Sequence, residues 1–140
     1  MSCAIMISEA AHRIAHMTKR TRYQDAATSE LVALFETITT EQRDASWSWQ
    51  ASRYNRLFGQ MVAICDELKS RAGDQRLALL PLLKSDNVQV RLMAAIQLLA
   101  LAPEQARSAL ESVVDSGYMP QVGDARGMLR ALDEGTYVPQ

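Results

Sequence analysis

No histidine follows His16 in this 140-residue chain, and the only cysteines are Cys3 and Cys65. The missing histidines exclude a Cys–His nucleophile pair in the body of the protein, because Cys65 has no imidazole to activate it. Two isolated cysteines make no disulfide framework, so a reducing compartment is the default. No apolar run approaches the ~20 residues that cross a bilayer. Residues 1–7 have no basic flank and Glu9 interrupts them, which makes a poor signal peptide, although Met17 offers an alternative start. A cytoplasmic protein with no membrane association is therefore expected. Cationic surplus is missing too: the net charge is −1, whereas nonspecific nucleic-acid binding needs excess positive charge to release counterions. Gly117, Gly123 and Gly127 follow no strand and lack a lysine, so they form no phosphate loop.

What remains favours helices. Aromatic residues make up only 6% of the chain, while alanine, leucine and methionine are plentiful and the hydrophobic fraction is 48%. Small and flexible aliphatic side chains suit close helix packing, and the length suits one domain. Residues 1–27 are expected to form a partly disordered N-terminal extension, and residues 28–140 the folded domain.

A helix is expected from Thr28 or Ser29 as cap, with Leu31, Leu34, Phe35 and Ile38 on one apolar face. The polar run Thr39–Asp44 then either continues it on the exposed side or frays it. Ala45–Gln50, holding Trp47 and Trp49, is a short linker or helix start. A second helix covers about 52–71, with Tyr54, Leu57, Phe58, Met61, Ile64, Cys65 and Leu68 as its stripe. A third, near 74–83, accommodates Pro81 only close to its end or with a kink. The fourth, 88–101, is apolar on two sides apart from Gln89, Arg91 and Gln97, so it belongs at the centre. Pro103 starts a fifth that Gly117 closes, and a last helix runs from about Asp124 to Glu134.

Residues 79–99 resemble a HEAT repeat unit: Leu79-Leu80-Pro81-Leu82-Leu83, a turn acid at Asp86, then Val90-Arg91, Ala94-Ala95 and Leu98-Leu99. The resemblance implies a short right-handed α-α superhelix of about five to six helices, with Asp86 capping the second helix and Arg91 reaching a neighbouring turn acid. Asp86 stands one residue closer to Val90 than that pattern usually has, which weakens the expected bridge. More broadly, residues 31–137 are similar to a small bacterial family of uncharacterised HEAT-like domains. That similarity lies in 53–58, in 73–76 with 79–83, and in 123–133, and it implies a fold but no activity.

The candidate site residues are Trp47, Trp49, Arg53, Asn55 and Arg56, a dense aromatic and cationic group of the kind that dominates binding hot spots. Against that, one tryptophan is expected to cover the seam between the first two helices, because aromatic rings carry so much buried area. The arginines could equally be a solvated pair, with Asn55 bonding a loop backbone. His12 and His16 have metal-ligand spacing, but Arg13 lies between them and no third ligand is evident beyond Cys3. No catalytic, cofactor or metal site is expected, and the chain is not expected to be an enzyme. The leading expectation is a HEAT-like interaction module with a protein partner, in one version an immunity or antidote protein. The alternative is a nucleic-acid-acting protein related in fold to HEAT-like DNA glycosylases, and a third reading is a homodimer covering the fourth helix.

Overall fold

The computed structural model describes residues 23–140, and every regular element in them is helical. Five α-helices and one 3-10 helix follow one another: α1 (Thr28–Trp47), α2 (Ala51–Ser70), the 3-10 helix (Gln75–Lys84), α3 (Val88–Leu98), α4 (Pro103–Ser116) and α5 (Gln121–Glu134). The all-α class expected from the sequence is what forms. Neighbours in sequence pack as neighbours in space: α1 on α2, the 3-10 helix on α3, α3 on α4, and α4 on α5.

Helix α3 also touches α1 and α5 and is the centre of the molecule. Eight of its eleven residues are buried, with Val90, Leu92, Ala94, Ala95 and Leu98 fully so. The alanines let flanking helices approach closely, and the chain's own helices cover both apolar sides. Its cap differs from expectation. Asn87, not Asp86, accepts from the backbone N–H groups of Gln89 (3.0 Å) and Val90 (3.3 Å), while Asp86 is exposed. An amide thus holds the cap position expected of the acid. Arg91 likewise reaches no turn acid and donates instead to the Ser85 carbonyl at 2.8 Å.

The third segment winds as a 3-10 helix rather than an α-helix, with Pro81 inside it. In α geometry Pro81 would lack a donor and crowd the carbonyl of Leu77. At its start Asp74 takes a left-handed backbone (φ 52°) and pairs with the buried Arg76 at 2.7 Å. That guanidinium also holds the Gln140 carbonyl at 2.9 Å, tying the end of the chain to the fold.

No side chain caps α1, because Ala27 occupies the cap position and Thr28 bonds elsewhere, to Gln75 and Arg71. Arg71 gathers this corner: it pairs with Glu67 (3.0 Å) and donates to the carbonyls of Tyr23 (2.8 Å) and Ala26 (2.6 Å). Tyr23 and Ala26 are buried in the core, although both fall within residues 1–27. Gly117 (φ 74°) and Gly135 (φ 71°) end α4 and α5 in the left-handed conformation that glycine adopts without strain. Helix α5 begins three residues before the expected Asp124, because Val122 and Asp124 already bond back to Tyr118 and Pro120.

Candidate functional site

The second half of α1 continues its buried stripe rather than turning polar. Leu31, Phe35, Ile38, Gln42 and Ala45 recur at alternating four- and three-residue spacing, and all are buried. Gln42 therefore enters the core. A buried amide must find partners or lose its solvation uncompensated. It finds them in Gln89 on α3 and the Met61 sulfur on α2, and Gln89 in turn bonds a third buried glutamine, Gln121 at the start of α5.

The three amides join end to end. Gln89 Nε2 donates to Gln42 Oε1 (3.0 Å), and Gln121 Nε2 donates to Gln89 Oε1 (2.8 Å). Arg43 heads the chain, its Nη1 donating to Gln121 Oε1 at 2.7 Å, and the Gln42 amide ends it 3.8 Å from the Met61 sulfur. All donors point one way, from the cation toward the thioether, so each bond polarises the next. The chain fixes α1, α3 and α5 in register. Gln89 Nε2 also donates to the Tyr54 hydroxyl on α2 at 3.2 Å.

Arg43 faces outward as well. Its guanidinium carbon lies 5.5 Å from the ring centroids of both Trp47 and Tyr118, and it donates to the Met119 carbonyl at 3.3 Å. Two rings thus flank one cation within cation–π range. Both are largely in solvent: Trp47 is 72% exposed, Tyr118 57%, and neighbouring Met119 61%. Trp49 is 93% exposed and sits in the left-handed region at φ 58°. That conformation costs a residue with a Cβ about 1 kcal/mol or more. The tight corner between α1 and α2, closed by Gln50 N–H to the Ala45 carbonyl at 2.9 Å, imposes it.

Between this corner and the start of α5 lies a recess of about 430 Å³, lined by Trp49, Tyr54, Asn55, Gln89, Pro120 and Asp124 among others. Burial raises the pKa of the Tyr54 hydroxyl, with Gln89 opposing, and partial burial raises that of Asp124. A larger hollow of about 790 Å³ lies between the 3-10 helix and α4, but its walls, including Leu80, Pro81, Lys84 and Ser108, hold no aromatic ring.

Of the five residues singled out in the sequence, Trp49 and Asn55 line the recess. Trp47 stands beside it through Arg43, and Arg53 bonds Gln50 on its rim at 3.3 Å. Arg56 is exposed and takes no part. The expectation that one tryptophan covers the helix seam is wrong: the side chains that close it include Ala45, Leu57 and Met61, and both indoles face water. Sequence reasoning missed Arg43, Gln121, Tyr118, Met119 and Asp124. The available signals were Gln42 at the next stripe position after Ile38, and Gln89 alone in an apolar helix.

Cys65 is buried as its apolar stripe implies, and burial pushes its thiol up to about 12. Cys3, His12 and His16 lie outside the described residues. Among those described, no three His, Cys, Asp or Glu side chains group as a metal shell, and no helix is long and apolar enough to cross a membrane.

The sequence model of the family "Domain of unknown function (DUF2019)" matches residues 29–133. The chain belongs to this family. The DUF2019 match spans the glutamine chain, both tryptophans and every residue of the recess. The crystal structure of the protein RPA1889 from Rhodopseudomonas palustris CGA009 is similar, at 53% identity and a TM-score of 0.81. The alignment covers 83% of this chain and 96% of that one. No curated protein matches. A family of uncharacterised domains is what the sequence resembled.

Proposed function

We propose that this DUF2019 chain is a non-catalytic, HEAT-like interaction module that binds a protein partner in the cytoplasm. The observation that carries this reading is the group of Trp47, Tyr118 and Met119 around Arg43, with Trp49 on the adjoining recess. These four large apolar side chains are more than half exposed at one end of the molecule. Trp47 and Tyr118 rest on a rigid support, because Arg43 is anchored in the buried glutamine chain. Rigid aromatic side chains with an arginine among them are the composition of interface hot spots, where little ordering entropy is lost on binding. An immunity or antidote protein that occludes a toxin is the specific form that suits a small module with such a surface.

The test is affinity capture from the native host with tagged wild type and with the Trp47→Ala, Trp49→Ala double variant. Wild type is expected to retain a stoichiometric protein that the variant loses. Identical capture by both, or no partner for either, overturns the reading. Light scattering on the same samples detects a second copy as the partner. For the nucleic-acid alternative, no duplex retention at moderate salt is expected, and tight salt-sensitive binding would favour it instead.

A further inference from the structure

We propose that the recess beside Trp49 receives an arginine side chain of the protein partner, held between the Trp49 and Tyr54 rings with its guanidinium on the Asp124 carboxylate. The inference rests on the interaction reading above and names the chemistry of its contact.

Charge complementarity is the first argument. Among the residues lining the recess, Asp124 alone carries a formal charge at neutral pH. Its carboxylate has no hydrogen bond or ion pair with any described residue. The carboxylate is exposed at the mouth of the recess, and the neighbouring walls desolvate it partly, which raises its pKa. The nearby arginines are committed elsewhere: Arg43 to Gln121 and the Met119 carbonyl, Arg53 to Gln50. No described cation pairs with this carboxylate, so the recess offers a free negative charge to a partner's cation.

Shape and donor count select arginine among cations. Asn55 lines the recess with no partner for its amide, so its oxygen is a second free acceptor beside the carboxylate. A planar guanidinium with five N–H donors can satisfy two acceptors while stacking on rings, which a compact ammonium cannot. The protein already uses this arrangement once. Its own Arg43 lies between Trp47 and Tyr118, 5.5 Å from each centroid, at the edge of the same surface. Trp49 and Tyr54 add two further rings to the lining of the recess, where a second guanidinium can stack.

The experiment titrates the full-length, isotope-labelled chain with N-acetyl-arginine N-methylamide, and in parallel with the citrulline analogue, which has the same shape without the charge. The arginine probe is expected to shift the Trp49 indole N–H and the Asn55 side-chain amide saturably. The citrulline probe should bind about fivefold more weakly or less, the size of a modest ion-pair and cation–π contribution. Asp124→Asn should bring the two probes to equal affinity. Equal shifts from both probes on wild type, shifts confined to other regions, or none at all overturn the proposal without any variant. If captured partner is lost with the tryptophan variant yet retained by Asp124→Asn, the interaction reading stands and this inference fails. If the arginine probe binds as described but no partner is captured, the recess's preference for a guanidinium stands and the interaction reading fails.

Discussion

The side chain of Gln89 donates to that of Gln42 at 3.0 Å, across 47 residues of sequence and deep inside an otherwise apolar core. This bond is the middle of the run from Arg43 to Met61, so its loss leaves several groups stranded. Gln89→Leu keeps similar bulk but removes the partner of Gln42 Oε1 and Tyr54 Oη, and leaves Gln121 Nε2 only a long bond to Ser46 Oγ at 3.4 Å. Buried polar groups left unpaired cost about 1–3 kcal/mol each, less whatever water recovers near the recess. Gln89→Leu is expected to destabilise the protein by about 2–4 kcal/mol in urea unfolding. A Gln42→Leu, Gln89→Leu double variant should cost less than the sum of the singles, since each single change already breaks the shared bond. Strict additivity would show that the amides act independently.

Helix α3 makes a different kind of prediction, because its contribution is packing. Leu92 and Leu98 are fully buried, and so are Ala94 and Ala95 between them. Leu98→Ala should cost about 2–5 kcal/mol through lost transfer energy and the cavity left behind. Ala94→Leu should cost about 1–3 kcal/mol by overpacking. Leu77→Ala, on a side chain 42% exposed, should fall within about 0.5 kcal/mol of wild type. Thermal melts of the three variants test the ranking, and a tolerant Ala94→Leu would mean that α3 is not tightly enclosed.

The helices themselves were legible because hydrophobic spacing, Pro103, Gly117 and Gly135 are local signals with one physical meaning each. The centrality of α3 was legible for the same reason, since a helix apolar on two sides has to be covered on two sides. The site was legible only in part. Trp49 and Asn55 were found by residue type, but whether an indole is buried depends on how a corner turns, and that is set by a left-handed residue that spacing does not reveal. The glutamine chain needs three distant helices in register. Gln42 looked like part of the polar run Thr39–Asp44, although it lies four residues after Ile38 on the buried stripe. The 3-10 winding of 75–84 was hidden because Pro81 signals a break without saying which helix replaces the α form.

Cys65 offers a chemical test of burial. Desolvation, aided by Asp66 and opposed by Arg76, raises its pKa from an ordinary value near 9 to about 12. The folded thiol is therefore neutral at pH 8, and only about one molecule in 10⁴ carries a thiolate. In a Cys3→Ser background, a disulfide reagent at pH 8 should not react measurably until urea unfolds the chain. The stability sign follows from a folded pKa above the unfolded one. The neutral thiol's contribution is complete below about pH 9 and is lost as pH rises toward about 12. Rapid modification of native protein at pH 8 would show that the helix stripe around Cys65 opens readily.

Asp74 has the opposite sign. Hydrogen bonding to Arg76 holds its carboxyl below the usual carboxylate range. Its stabilising charge is therefore present above pH 3.8, the unfolded value, and is lost as pH falls through the lower folded pKa. Asp74→Asn leaves the Arg76 guanidinium, only 6% exposed, with the Gln140 carbonyl as its remaining partner. The expected cost is about 3 kcal/mol, toward the lower end for breaking a buried pair because Asp74 itself is a quarter exposed. Arg76→Met should cost less than Asp74→Asn, since it removes the buried charge altogether. Urea unfolding at pH 7 ranks the two, and the reverse order would mean that the pair is effectively solvated.

Trp49 separates stability from binding most sharply. Its ring is 93% exposed, so truncation forfeits almost no packing, while its φ of 58° carries the strain of a left-handed residue. Asparagine tolerates that conformation better than other residues with a Cβ, because its short polar side chain bonds locally. Trp49→Asn should therefore leave stability unchanged or raise it by up to about 1 kcal/mol. The same variant should lose the captured partner. The proposed interaction gives the strained, solvent-facing indole a use outside the protein itself. If Trp49→Asn destabilises the chain by more than about 1 kcal/mol, the ring is instead a structural element, and the interaction surface loses its main anchor.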